Sequence, residues 1–415
     1  MSDPGHPSAP ASHGPAVLRG ASLWLPAEHS WRRLPAIGLV LAVVGLGGSL
    51  ALGLASEAAR PQLWHSWLVG ALFALSVALG GLFFVLVQHA TQAGWSVVVR
   101  RIAENAMATL PFLALLFVPL LFGMGDLFHW SHAEAVKLDP LLLHKQPYLN
   151  VKFFVLRTVA YFVIWSALAL WFGRLSKLQD VTGDHELTRR MRRASPVALL
   201  LFALSVTFFA FDWLMSLSPD WYSTIFGLYF FAGSAMAFFA FLALVVIAAR
   251  RTGLLAGVVS AEHQHDIAKL LFTFVAFWAY MAFSQYLLIW YANLPEETVF
   301  FAHRNVHSWS LATAGLALGH FVVPFFFLLP RTVKRSPTAL AVAATWLLAM
   351  HLLDLYWLVM PNLHPAGMAP NLLDATALIG SCGLFMAAFG FALKRQALVP
   401  LRDPRLPESL TFENV

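Results

Sequence analysis

Hydrophobic and polar positions alternate along this chain in long blocks. Because a bilayer core about 30 Å thick requires roughly 20 apolar residues per helix, these blocks predict an all-α polytopic membrane protein with ten transmembrane helices. The predicted spans are approximately 34–55, 64–88, 107–123, 152–173, 197–217, 222–248, 268–292, 308–329, 338–360 and 372–393. The predicted segments are a polar N-terminal segment (1–33), a ten-helix transmembrane domain (34–395) and a C-terminal tail (396–415).

Basic residues are concentrated on one side of the predicted membrane. Of the 27 Lys and Arg, 20 fall in the N-terminal segment, in alternate loops and in the tail. The other side has 4, namely Arg60, Lys137, Lys145 and Arg304. The positive-inside rule therefore predicts that both termini are cytoplasmic. The first 33 residues lack the basic start and short apolar core of a signal peptide, so we expect the first span to be retained. We expect the proline-rich tail to form an extended cytoplasmic arm.

Composition narrows the possible functions. The chain of 415 residues is 59% hydrophobic and 12% charged, with a mean hydropathy of +0.69. Soluble domains carry about twice that share of charge, so a soluble enzyme, a disordered chain and a nucleic-acid-binding protein are excluded despite the net charge of +6. The single cysteine, Cys382, excludes an internal disulfide, a four-cysteine iron–sulfur cluster and a C-x-x-C-H haem attachment.

Several predicted spans place one polar residue at a similar depth below the outer face. At a rise of about 1.5 Å per residue, Arg157 and Asp212 lie about 8 Å deep, Gln285 about 10 Å and Asp354 about 9 Å. His351 shares a helix face with Asp354 because three residues separate them. We interpret Asp212, His351 and Asp354 as an outward proton-conducting group that Arg157 and Gln285 tune. The alternative is that these residues only hold helices together.

Histidines raise two questions about ligands. His320, near the middle of the eighth span, could pair with His351 as an axial haem b ligand, but we favour a proton relay or a buried hydrogen bond, so His320 joins the proton-path candidates. The long outer loop carries His129, His132 and His144. A metal site needs convergent geometry, and we expect neither a metal ion nor a haem in this chain.

Two long aromatic-rich stretches resemble a known family. They are FDWLMSLSPDWYSTIFGLYFFAGS at 211–234 and AFSQYLLIWYANLPEETVFFAHRNVHSW at 282–309. Together with HLLDLYW at 351–357 and the ten-span plan, they resemble the polysulfide reductase-like (NrfD-like) membrane subunits of bacterial alternative complex III, most closely the ActF type. The resemblance covers most of the chain and is weakest in the two tails and in loop 124–151.

The resemblance implies a role in respiration. Alternative complex III oxidises quinol and passes the electrons to cytochrome c or to a terminal oxidase in the bacterial inner membrane. Its haem c groups and iron–sulfur clusters belong to partner subunits, and a homologous NrfD-like sister is also a partner. The family fold comprises two four-helix bundles with flanking helices. The resemblance therefore implies a subunit without its own redox cofactor that contributes a proton path, a quinone-side site or both.

The outer loop between the seventh and eighth spans is a candidate rim for proton exit or docking. Its candidate residues are Glu296, Glu297, His303 and Arg304. Two other functions remain open. One is a proton- or ion-coupled secondary transporter, for which interrupted helices at matching places in both halves would be evidence. The other is a passive membrane anchor for peripheral redox subunits.

The orientation can be tested with reporters fused after Val415. We expect a cytoplasm-specific reporter to be active there, because the basic residues are so unequally divided between the two sides. A reporter that is active only in the periplasm serves as the paired measurement. Activity of that second reporter at Val415 would overturn the orientation.

Overall fold

A computed structural model describes residues 23–414 of the chain. Within that range, the structure is helical without β-strands, and ten helices are long and apolar enough to cross a membrane. The prediction of an all-α polytopic protein is thus confirmed. Of the segment 1–33, residues 1–22 lie outside the described residues. The ten helices are α1 (Ser30–Gly53), α2 (Arg60–Ala90), α3 (Val97–Phe122), α4 (Val151–Thr182), α5 (His185–Leu217), α6 (Phe226–Arg251), α7 (Ala261–Ala292), α8 (His307–Leu328), α9 (Pro337–Asn362) and α10 (Leu372–Lys394).

The helices pack as two four-helix bundles with two flanking helices. Helices α2 to α5 form the first bundle and α6 to α9 form the second. Helix α2 also contacts α6, α9 and α10, and it is buried along most of its length. Its sequence is apolar on all sides, which is typical of a helix surrounded by other helices. The centre of the molecule is therefore the contact between α2 and α6, where the two bundles meet.

Glycines allow α1 to pack closely against α10. A Cβ added at Gly45 would lie 2.4 Å from the backbone nitrogen of Gly380, and one added at Gly383 would lie 2.5 Å from the nitrogen of Ala42. Small residues let membrane helices approach until their backbones touch. The rest of α1 is exposed, including Val40 and Val44, so the helix is attached to the bundles mainly through α10.

Two of the ten helices are irregular. In α3, a 3₁₀ segment at Ala114–Leu116 separates short α-helical pieces that contain Pro111 and Pro119. In α8, residues Leu316–Val322 form a π-helical segment. Proline removes a backbone hydrogen-bond donor, and π-helical turns inside α-helices occur frequently at functional sites. The irregular part of α8 contains His320.

The two ends of the described chain lie on the same side of the molecule, which we call the terminal face; the other side is the far face. The backbone N–H of Leu398 donates to the carbonyl of Leu23 at 2.7 Å. Leu398, Val399 and Leu406 are buried, and the Ser409 hydroxyl donates to the carbonyl of Trp95 at 2.7 Å. Our expectation of an extended arm is therefore wrong: the tail packs across the terminal face because its apolar residues have a surface to cover.

Beneath the tail lies a buried ionic network, which we define as Arg100, Arg101, Glu104, Asp180 and Asp403. Arg100 contacts Asp403 at 2.6 Å and Glu104 at 3.2 Å. Arg101 contacts Asp180 at 2.5 Å and Glu104 at 3.3 Å. The predicted spans 64–88 and 107–123 place both arginines in the loop between them, but they lie in the first turns of α3. The tail supplies Asp403 and so helps to neutralise these arginines.

Replacing Asp403 tests this network. Burial alone would raise the pKa of Asp403, but the charge of Arg100 and its hydrogen bond keep that pKa below the ordinary value. A folded-state pKa below the ordinary carboxyl value stabilises the fold at any pH above that ordinary value. This stabilisation is lost as the pH falls through the folded-state pKa. We expect Asp403→Asn to lower the free energy of unfolding at neutral pH by about 3 kcal/mol, measured by unfolding in detergent.

The deficit of Asp403→Asn should shrink as the pH falls below the ordinary carboxyl pKa and through the lower folded-state pKa of Asp403, where wild type also loses the ion pair. The matched control is Glu408→Gln, an exposed carboxylate of the same segment, which should change stability little. A deficit that stays constant over the whole pH range would contradict the electrostatic explanation.

Candidate functional site

Asp212 lies in a closed ion pair inside the first bundle. The Arg157 guanidinium, on α4, donates two hydrogen bonds of 2.8 Å to the Asp212 carboxylate on α5. The Tyr161 hydroxyl donates a third at 2.7 Å, and Arg157 also donates to the carbonyl of Tyr148 at 3.0 Å. Two parallel bonds between a guanidinium and a carboxylate fix both the geometry and the charge balance. The charge of Asp212 is therefore neutralised within the bundle.

Asp354 lies in a different environment in the second bundle. Its carboxylate accepts hydrogen bonds from the Tyr229 hydroxyl on α6 and, at 3.2 Å, from the indole N–H of Trp278 on α7. Asp354 is buried, and between residues 23 and 414 no Lys or Arg nitrogen lies within 4.0 Å of it. Both donors are neutral, so hydrogen bonding satisfies the oxygens while a negative charge there would have no cation beside it.

The two aspartates occupy corresponding places in the two bundles. Each lies near the far-face end of the last helix of its bundle, and each accepts a hydrogen bond from a tyrosine. They differ in their charged neighbours: among residues 23–414, Asp212 has the guanidinium of Arg157 in contact, and Asp354 has no Lys or Arg in contact. The hydrogen bonds of Asp212 stay within α4 and α5, whereas those of Asp354 reach α6 and α7. The structure thus places the two carboxylates in separate groups, and Arg157 belongs to the group of Asp212.

His351 does not contact the carboxylate of Asp354 but faces α2. Its Nε2 lies 2.9 Å from the Ser76 hydroxyl, and its Nδ1 would lie 3.1 Å from a Cβ added at Gly233. The ring of His320 lies 6.5 Å from that of His351 and 3.8 Å from that of Trp278, centroid to centroid. Both ring nitrogens of His351 thus lie against α2 and α6, which does not fit a haem b held between the two histidines.

His320 is fully buried in the π-helical segment of α8. Neither of its ring nitrogens has a hydrogen-bond partner among residues 23–414. Its closest aromatic neighbour, Trp278, is the residue that donates to Asp354. The two histidines, Trp278 and Asp354 therefore form a polar group enclosed by α2, α6, α7, α8 and α9.

A lateral groove of about 740 Å³ opens beside this polar group. Its walls are mostly aromatic and aliphatic side chains of α6 to α9, and its mouth includes the exposed residues Tyr280 and Phe283 of α7. Tyr229 and Trp278, the two donors to Asp354, both line it. Ligand sites are typically apolar cavities of this size with a few placed polar groups. The other lining residues are Phe226, Ala276, Ala279, Ala282, Gln285, Tyr286, Phe300, Phe301, Ser310, Thr313, Ala314, Leu316, Ala317, Phe321, Val322, Phe325, Trp357 and Leu358.

Gln285 provides an unused acceptor in this groove. Its side chain is 6% exposed, and its carbonyl oxygen has no partner in the described part of the chain. A buried polar atom without a hydrogen bond costs free energy, so an occupant of the groove with a hydroxyl group would find an acceptor here.

Arg304, one of the predicted rim residues, is buried and does not form part of an exposed rim. Its guanidinium donates to the carbonyls of Phe300, Trp357 and Leu358 at 3.0, 3.2 and 2.9 Å. It lies over the Phe300 ring at 3.6 Å from the centroid. Burial lowers the pKa of Arg304 to about 9. Arg304 therefore fastens the loop helix Pro295–Arg304 to the end of α9.

The other rim candidates do reach the surface at the far face. Glu296 and His303 are exposed and Glu297 is half-buried, on the helix that Arg304 anchors. The loop histidines are also exposed: His129 and His144 lie on short helices, and His132 contacts the Gly125 carbonyl at 2.8 Å. Within residues 23–414, no group of three or more His, Cys, Asp or Glu is arranged to hold a metal ion.

Sequence reasoning missed the neutral donors Tyr161, Tyr229 and Trp278. Each lies on a different helix from the carboxylate that it contacts, so no spacing along the chain relates donor to acceptor. The available signal was only that tyrosine and tryptophan carry a polar atom that usually finds a partner when buried.

Comparison with family models and with curated proteins identifies no relative of this chain. The geometry of the groove and of the two aspartates is therefore the evidence for function.

The ion pair in the first bundle can be tested by its effect on stability. We expect Asp212→Asn to lower the free energy of unfolding by about 3–5 kcal/mol, because it leaves the charge of Arg157 buried and unpaired. Replacing both partners, Arg157→Met with Asp212→Leu, should recover much of that loss. The measurement is unfolding in mixed micelles, and a single variant as stable as wild type would contradict a structural role.

Proposed function

We propose that this protein is an ActF-type membrane subunit of a quinol-oxidising respiratory complex, and that the lateral groove binds the quinone head group. The observation that carries the proposal is the position of Tyr229. This tyrosine lines the groove, and its hydroxyl donates to the buried carboxylate of Asp354. The Tyr229 hydroxyl would thus connect a hydroxyl of a bound quinol to the Asp354 carboxylate, which is the proton acceptor.

Each polar residue of the groove has a role in this proposal. Gln285 accepts a hydrogen bond from the quinol through its unused carbonyl oxygen and orients the ring. Tyr229 takes up a quinol proton while it passes its own to Asp354. Quinol oxidation releases two electrons and two protons; the two protons would leave one after the other through Tyr229 and Asp354, and a redox group of a partner subunit would accept the electrons. General acid–base transfer needs a donor and an acceptor within hydrogen-bond reach, which the contact between Tyr229 and Asp354 supplies.

The lack of a cation beside Asp354 supports its role as the proton acceptor. A carboxylate held by arginine stays ionised, as an ion pair favours the charged form. Asp354 has only neutral donors, so binding a proton removes an uncompensated charge from the apolar interior. His351 and His320, deeper in the same bundle, extend the polar group towards α2 and are the candidates for its continuation.

The proposed complex also assigns the faces of the protein. The terminal face is cytoplasmic, because most Lys and Arg residues lie there, and the far face is periplasmic in a bacterial inner membrane. The exposed residues Glu296 and His303 and the half-buried Glu297 at the far face are then a docking rim for a partner subunit. The partners are an NrfD-like sister, an iron–sulfur subunit and c-type cytochrome subunits.

One observation favours a second candidate, an ion-coupled transporter. If the ten helices are divided into α1–α5 and α6–α10, the irregular helices α3 and α8 are each the third helix of their half. Interrupted helices at matching places are typical of transporters with internal repeats. Copurification from native membranes distinguishes the two candidates. Multihaem cytochromes among the copurified proteins favour the respiratory subunit, and a chain that purifies alone favours the transporter.

The role of Tyr229 can be tested in the assembled complex. We expect Tyr229→Phe and Asp354→Asn each to lower quinol:cytochrome c activity and proton release in vesicles by at least about 100-fold, the lower end of general acid–base contributions. The matched control is Tyr280→Phe, which removes a hydroxyl from the exposed mouth of the same groove and should keep activity within about two-fold.

Binding of a quinone analogue to each purified variant separates assembly from chemistry. Tyr229→Phe should still bind the analogue, since the ring that lines the groove is retained. Gln285→Leu should weaken binding by about ten-fold, the equivalent of one hydrogen bond. Fully assembled Tyr229→Phe and Asp354→Asn complexes with unchanged activity and proton release would overturn the proposal.

A further inference from the structure

A second, smaller cleft lies at the far-face end of the first bundle. It has a volume of about 310 Å³ and is separate from the lateral groove. One wall is the end of the long loop, from His144 to Leu149, and the other is the end of α5 with the turn that follows it, from Phe211 to Tyr222. Neither the ion pair of Asp212 nor the proposed quinone chemistry uses this cleft.

Two residues that line the cleft carry N–H groups that are not all used in hydrogen bonds. The Lys145 ammonium donates to the carbonyl of Pro219, and no carboxylate of the described residues lies within 4.0 Å of it. Burial lowers the pKa of Lys145, while the more distant charges of Asp220 and Asp139 raise it. The indole N–H of Trp221 is buried and has no acceptor within residues 23–414. A cation and a neutral donor thus lack an anionic partner.

The remaining surface of the cleft is apolar and continues towards lipid. Phe211, Met215 and Leu149 line it, and the neighbouring Phe208 and Tyr222 are exposed. The Lys145 ammonium lies 5.8 Å from the centroid of the Tyr222 ring. Tyrosine and tryptophan are enriched where the apolar core of a membrane meets the head groups. The cleft therefore combines two hydrogen-bond donors with an apolar wall at the far-face end of α5, beside the exposed aromatic ring of Tyr222.

We propose that this cleft binds an anionic phospholipid from the far-face leaflet. Its phosphate oxygens accept hydrogen bonds from the Lys145 ammonium and the Trp221 indole, and its acyl chains lie against Phe211 and Met215. A free inorganic phosphate would meet the two donors but would leave the apolar wall uncovered. A wholly apolar occupant would cover the wall but would leave both donors unsatisfied, at a cost.

The test is native mass spectrometry of the full-length, delipidated protein titrated with phosphatidylglycerol. Three variants are compared with wild type: Lys145→Gln, Trp221→Phe and the control Lys137→Gln. Lys137 lies in the same loop but is exposed and paired with Glu134 at 3.0 Å. Trp221→Phe removes the N–H together with part of the indole and retains a ring that can stack on Phe300, as Trp221 does at 4.0 Å. Phosphatidylcholine and inorganic phosphate are titrated in parallel.

We expect one tight phosphatidylglycerol adduct in wild type and in Lys137→Gln. Its affinity should fall about ten-fold in Lys145→Gln and about five-fold in Trp221→Phe, within the range for one lost hydrogen bond. Phosphatidylcholine should bind more weakly than phosphatidylglycerol, and inorganic phosphate should not displace the adduct. Equal affinity in Lys145→Gln and Lys137→Gln would overturn the site, and displacement by inorganic phosphate would overturn the lipid as its ligand.

Discussion

The cost of placing a charge in an apolar interior organises this protein. Each buried charge in the first bundle and under the tail has an opposite charge in contact, as Arg157 has Asp212 and Arg100 has Asp403. These pairs connect helices, and one connects the tail to α3, so the constraint also determines how the chain folds back on itself. Buried ions that are paired and hydrogen-bonded are tolerated, whereas isolated ones are expensive.

Asp354 departs from this pattern, and the departure distinguishes the two bundles. Both bundles place an aspartate near the far-face end of their last helix, next to a tyrosine hydroxyl. In the first bundle an arginine completes the site and makes it a structural element. In the second the place of the cation is taken by the neutral indole of Trp278. The proton transfer proposed for Asp354 would therefore use a position whose counterpart in the first bundle serves packing.

The geometry around Asp354 depends on an irregular helix. The π-helical segment of α8 brings His320 to within 3.8 Å of Trp278, measured between ring centroids. The lateral groove lies along the same part of α8, where Leu316 and Ala317 line it beside Gln285 of α7. Exposed aromatic residues at its mouth give a lipid-soluble molecule direct access from the membrane. Access from lipid and a buried acceptor on the inner wall are the two features on which the proposed quinol site depends.

The sequence by itself determined the ten helices, because the length of apolar blocks depends only on bilayer thickness. It also indicated the depth of Arg157, Asp212, Gln285 and Asp354, because helical rise converts position into depth. Only the tertiary structure decided which of them meet. Arg157 pairs with Asp212, whereas Tyr229 and Trp278 donate hydrogen bonds to Asp354. Arg304 is buried instead of facing the surface. These contacts depend on how each helix is rotated and which helices it faces, and packing across the whole fold determines both. The prediction of an extended tail was wrong for the same reason. The apolar residues of the tail cover a surface that exists only once the helices are assembled.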